Sequence, residues 1–167
     1  MEFKIGEIED YEPQIGHLVS MMNYARKTTL EAVQGMRTEE LDFLANEDGN
    51  TIGALLLHMV AVETIFQMQT FENRNPDEKE IVALKAALSL GEKGRKEIKG
   101  FPLDFYIQKL TETRDRTLKA FQQRNDDWLY EEINWGDSLS NNYFIWFHMF
   151  EDEINHRGQI RILRKML

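Results

Sequence analysis

The 167-residue chain contains no cysteine. That absence excludes a disulfide framework, a thiolate zinc site and a cysteine nucleophile, and it fits the expectation of a cytoplasmic protein. Proline is scarce: Pro13, Pro76 and Pro102 each stand where a helix begins or a loop runs. Long hydrophobic runs are lacking as well. No stretch reaches the roughly 18 consecutive apolar residues of a membrane span. Met1-Glu2-Phe3-Lys4, followed by acidic residues, does not read as a signal peptide. No membrane association is therefore expected. Positive charge is outweighed, with 20 Lys and Arg against 29 Asp and Glu for a net charge of −9. An acidic chain repels a phosphate backbone, so no nucleic-acid partner is expected. The basic runs at 93–99 and 157–165 read as solvated faces or helix-end charges. Strand-like alternation is almost missing.

What is present is helical periodicity. From Ile15 the apolar positions Leu18, Val19, Met22, Leu30 and Val33 form a stripe that ends at Gly35. A connecting segment follows to Gly49. Asn50 or Thr51 can cap a second helix, whose stripe includes Ala54, Leu55, His58, Ala61, Val62 and Ile65 and fades near 73–76. Residues 77–100 form an insert, its first half a helix to Leu90 and its second half, Gly91-Glu-Lys-Gly-Arg-Lys, a flexible loop. Pro102 opens a third long helix carrying Phe105, Leu110, Leu118 and Phe121. Trp135-Gly136-Asp137 marks a turn, and Ser140 or Asn141 begins a last helix that runs to the C-terminus. The expected fold is all-α: one domain over residues 1–167, an antiparallel four-helix bundle with a helical insert between the second and third long helices.

The last helix carries the chemistry. Ile145, His148, Met149, Asp152, His156, Gln159, Ile160 and Leu163 fall on one stripe at about 100° per residue. The apolar members turn this stripe toward the core, where unpaired polar groups are costly. Asp152 and His156 are four residues apart, which puts their side chains one above the other as two ligands of one metal ion would sit. His58 lies inside Gly53-Ala-Leu-Leu-Leu-His-Met-Val-Ala-Val and is the candidate third ligand. Two imidazoles and a carboxylate with open positions suit Zn²⁺, Ni²⁺ or Fe²⁺ without choosing among them. A hydrogen-bonded core histidine and an i,i+4 Asp–His link are the bland alternatives. His148 and Gln159 are candidates for orienting ligands or contacting substrate. His17 reads as structural or exposed. Trp128, Trp135, Tyr143 and Trp146 either line a pocket or fill the core.

The run His148-Met-Phe-Glu-Asp-Glu-Ile-Asn-His156-Arg-Gly-Gln-Ile resembles the C-terminal motif of the DinB/YfiT superfamily of bacterial four-helix bundles. The resemblance extends to the first helix, the helix-2 histidine and the late Trp-Gly segment. It implies three histidine ligands, one on helix 2 and two at i and i+4 on the last helix. His58 and His156 match two of these positions, while Asp152 stands where the third histidine is expected. The resemblance further implies a divalent-metal-dependent enzyme acting on a small molecule. Its relatives include transferases and isomerases that use low-molecular-weight thiols such as bacillithiol or mycothiol. A thiol-dependent S-transferase is the activity implied, and a metal-dependent hydrolase is the nearest variant. The departure at Asp152 leaves a second expectation open, a non-catalytic bundle with a weakened site that serves binding or stress response.

The opposite face of the last helix holds Phe147, Phe150 and Ile154. A helix apolar on both sides is either covered within the chain or meets a partner. The insert or the N-terminal arm supplies the first solution and a homodimer the second.

Overall fold

The computed structural model describes residues 4–167; Met1, Glu2 and Phe3, which figured in the signal-peptide expectation, lie outside the described residues. In chain order it contains α1 (Pro13–Val33), a single turn α2 (Thr38–Leu41), α3 (Ile52–Thr70), and the insert helices α4 (Glu78–Ser89) and α5 (Gly91–Glu97). Next come α6 (Leu103–Phe121), a 3₁₀ turn at Asp126–Tyr130, the strands β1 (Glu132–Trp135) and β2 (Ser138–Asn141), and α7 (Asn142–Arg164).

Local chemistry places the helix starts. Thr51 accepts from the Ala54 N–H at 3.0 Å and Asn141 from the Phe144 N–H at 2.9 Å. Asp77 and Glu80 form a reciprocal capping box on α4. Caps of this kind contribute about 1 kcal/mol each. The first turn of α1 has no cap of its own. Its Gln14 and Ile15 N–H groups are instead met by the Asp126 carboxylate at 3.0 and 3.1 Å, across more than a hundred residues.

The long helices α1, α3, α6 and α7 make the bundle. Arg26 meets Glu153 and Arg164 meets the Ala32 carbonyl, so α1 and α7 run parallel. Gly53 abuts Tyr106 and Gln67 reaches Thr117, so α3 and α6 also run parallel. The antiparallel pairs are α3 with α7, where Thr70 meets Trp146 and His58 meets Asp152, and α1 with α6. The insert accounts for this order, because it carries the chain back along the bundle before α6 begins.

The core falls into two apolar halves. One gathers Val33, Leu41, Ile52, Leu55, Leu56, Tyr106, Leu110 and Ile160. The other gathers Ile15, Leu18, Met22, Phe66, Phe121, Leu129, Ile145 and Trp146. Between them lies a buried polar layer of Arg26, Glu63, Arg114 and Glu153. Among the described residues, α3 alone is long and apolar enough to cross a membrane. Its composition is that of a core helix, since 61% of the span is buried inside the bundle.

Three local expectations are corrected. Residues 91–97, expected as a flexible loop, are the helix α5. Asn50 accepts from the Gly91 N–H, Arg95 donates to the Gly49 carbonyl, and Lys93–Glu97 and Lys96–Glu92 pair at i,i+4. These contacts override the glycine-rich composition. Residues 132–141, read only as containing a turn, form a two-stranded antiparallel hairpin with Trp135 opposite Ser138. Gly136 at φ +60° takes the first position of its two-residue loop, where the left-handed region is needed. Phe150, assigned with Phe147 and Ile154 to an outer face, is only 6% exposed and belongs to the core, while Phe147 and Ile154 remain 44% and 38% exposed.

Candidate metal centre

The structure brings His58 of α3 together with Asp152 and His156 of α7. One donor atom from each lies within 4.8 Å of the others. His58 Nε2 is 3.7 Å from Asp152 Oδ2, and His156 Nε2 is 3.3 Å from Asp152 Oδ1. The two imidazole rings meet edge to face with centroids 4.7 Å apart. All three side chains are partly buried, at 14%, 22% and 12% exposure, so the cluster is shielded yet reachable.

The insert orients His58. Its Nδ1 lies 2.9 Å from the Ala87 carbonyl. Ala87 sits in the last turn of α4, where carbonyls have no intrahelical partner and are free to accept. Donation from Nδ1–H fixes the tautomer that leaves the Nε2 lone pair facing Asp152, the arrangement metal-ligating histidines commonly use. His156 is less constrained, because its buried Nδ1 has no hydrogen-bond partner among the described residues.

Electrostatics favour ligation at neutral pH. Burial lowers the His58 pKa below the ordinary histidine value and His156 adds to this, against the Ala87 carbonyl and Asp152. The imidazole is therefore neutral near pH 7. Burial works against a charged Asp152. The hydrogen bond and charge of His156, with His58 and His148 behind it, outweigh that effect and hold the carboxyl below its usual value. Two imidazole nitrogens and one carboxylate oxygen are a chemically fitting set for a divalent transition ion.

The other candidates are distributed around this cluster. His148 stands one turn before Asp152, its Nδ1 3.1 Å from Glu151 Oε2 and its ring against Trp135 at a centroid distance of 4.7 Å. Phe66 approaches from α3 at 6.3 Å. Gln159 is exposed. Trp128 and Trp146 are core residues around Phe71 and Phe121, and the Trp146 indole donates to Thr70. Tyr143 packs on Tyr130. His17 bonds the Pro13 carbonyl within its own helix. The ion layer of Arg26, Glu63, Arg114 and Glu153 and the Ala87 carbonyl were missed in the sequence. The first had a faint signal, since Arg114 lies on the stripe between Leu110 and Leu118. A backbone carbonyl leaves none.

Fold and site together define a four-helix bundle of the DinB-like class with a two-histidine, one-aspartate donor set between α3 and α7. Residues 17–167 match the family described as Mycothiol-S-transferase (MST), and the chain belongs to that family. The solved structures show the same fold. A DinB-like protein from Bacillus cereus ATCC 10987 is 13% identical, with a TM-score of 0.69 over 90% of each chain. An uncharacterized protein from Clostridium difficile 630 is 12% identical, with a TM-score of 0.70 over 92% of this chain and 96% of that one. A conserved protein from Enterococcus faecalis is 14% identical, with a TM-score of 0.66 over 89% and 93%. No curated protein matches the chain.

Proposed function

We propose that the chain is a divalent-metal-dependent S-transferase that joins a low-molecular-weight thiol of the mycothiol type to a small electrophile. The observation that carries this reading is the convergence of His58, Asp152 and His156 donors within 4.8 Å, in a chain of the Mycothiol-S-transferase family. A bound cation at this set would lower the pKa of a thiol and supply a thiolate near neutral pH. His58 and His156 would offer Nε2, with His58 held in register by the Ala87 carbonyl, and Asp152 would offer a carboxylate oxygen between them. In the transfer the thiol S–H bond breaks and its proton goes to solvent, and the sulfur electron pair forms a carbon–sulfur bond. The bond that breaks at the electrophilic carbon gives its electron pair to the departing group or to the heteroatom of an opened ring. His148, held by Glu151, and Gln159 stand on the same helix to contact substrate or ligands. Zn²⁺, Ni²⁺ and Fe²⁺ all suit the set. The proposal includes a cytoplasmic bacterial setting and a homodimer.

The test is a thiol-conjugation assay with mycothiol and a panel of electrophiles, run on metal-loaded and chelated protein. Turnover that needs both metal and thiol supports the reading. Metal-dependent hydrolysis without thiol would move the assignment to the hydrolase variant. Loaded protein with neither activity would favour the non-catalytic bundle.

A further inference from the structure

The buried polar layer is a closed ion ring with one member from each long helix. Arg26 of α1 reaches Glu63 of α3 at 3.1 Å and Glu153 of α7 at 2.9 Å. Arg114 of α6 reaches the same two carboxylates at 2.8 and 3.1 Å. The remaining donors are satisfied: Arg26 also donates to the Leu110 carbonyl, Arg114 to the Met22 carbonyl, and Thr117 to Glu63. The ion ring holds two positive and two negative charges, and no member is more than 8% exposed.

Stability alone does not explain such an arrangement. Taking four charges out of water is costly, and apolar residues of the same volume often serve as well or better. What an ion ring supplies is register, because it can close in one alignment only. Register is what α3 lacks otherwise. It is apolar on nearly every side, and Glu63 is its only Asp, Glu, Lys or Arg. Apolar faces tolerate sliding, and a slip of one turn moves a residue about 5.4 Å. That distance exceeds the whole spread of the His58, Asp152 and His156 donors. Two members of the ion ring adjoin those donors. Glu63 follows His58 by five residues on α3, and Glu153 lies between Asp152 and His156 on α7.

We propose that Arg26, Glu63, Arg114 and Glu153 are positioning residues that lock α3 against α7 and so hold His58 opposite Asp152 and His156. The proposal rests on the metal reading for its purpose, but the register claim stands on the fold.

The test replaces the whole ion ring by apolar side chains of similar volume, Arg26→Met, Glu63→Leu, Arg114→Met and Glu153→Leu together. Zn²⁺ affinity is measured by chelator competition. The edge-to-face packing of the His58 and His156 imidazoles is followed in metal-free protein by NMR. The expected result is a folded bundle with Zn²⁺ affinity reduced roughly ten- to a hundredfold and the two imidazoles no longer packed on each other. A folded variant with wild-type affinity and imidazole packing overturns the proposal. If the quadruple variant does not fold, Arg114→Lys decides, since it keeps the charge and loses the planar fork. Weakened affinity or disrupted imidazole packing supports the ion ring as a register lock, and unchanged values of both overturn it. Wild-type protein that takes up no Zn²⁺ would sink the metal reading instead, and the imidazole packing in metal-free protein would still decide the register claim.

Discussion

Asp152 is where this site departs from the three-histidine pattern that the sequence motif implies, and its carboxylate sits between the two imidazoles. Asp152→His should restore the all-imidazole set and tighten Zn²⁺ or Ni²⁺ binding, read by chelator competition; unchanged or weaker affinity would place Asp152 outside the ligand set. His58 gives a prediction about pH. Its folded pKa is lowered from 6.5 by burial, so its contribution to metal-free stability is fully present above about pH 6.5 and is lost as pH falls from there through the folded value. Metal affinity should fall in the same direction, because protons compete for the nitrogen. NMR titration should find His58 below the ordinary histidine value, and a normal or raised value would refute the burial argument. The three clustered residues stood out in the sequence because each interrupts an apolar helical stripe. The Arg26–Glu63–Arg114–Glu153 ring was not, since each helix contributes one charge and the pairing exists only across helices.

At the scale of elements, the four long helices could be read from periodicity and caps, and Thr51 and Asn141, each one of two starts offered by the sequence, are the residues that cap α3 and α7. The strands β1 and β2 were not legible, because four residues each are too few to display alternation. Helix α5 was hidden by its glycines, its order coming from Gly49 and Asn50 far back in the chain. The parallel neighbours α3 and α6 pack closely at Gly53, where an added Cβ would lie 2.4 Å from the Tyr106 hydroxyl. Tyr106 is rigid and fully buried, so it cannot give way cheaply. Gly53→Ala should therefore destabilise the protein by about 1–3 kcal/mol, measured by urea denaturation. A neutral or stabilising outcome would mean that the two helices can part at no cost.

For the whole molecule, the homodimer proposal turns on the part of the last helix left exposed. Phe147 and Ile154 project from α7, whereas Phe150 is spent in the core. A charge at position 150 would damage the fold, so the informative variant is Phe147→Glu. Sedimentation should show a dimer in the wild type and a monomer in the variant, with the melting transition kept. A wild-type monomer rules the dimer out, and a dimer unaffected by Phe147→Glu puts the interface elsewhere. If this bundle of the Mycothiol-S-transferase family holds a divalent metal through His58, Asp152 and His156, the metal should travel with the protein through purification. The most direct test is elemental analysis of untagged protein purified without added metal, beside His156→Ala. Wild-type protein should carry about one transition-metal ion per chain, as a single site of this type binds, and the variant, where two ligands remain, should carry none. Wild-type protein that is metal-free and fails to take up Zn²⁺ or Ni²⁺ would contradict it.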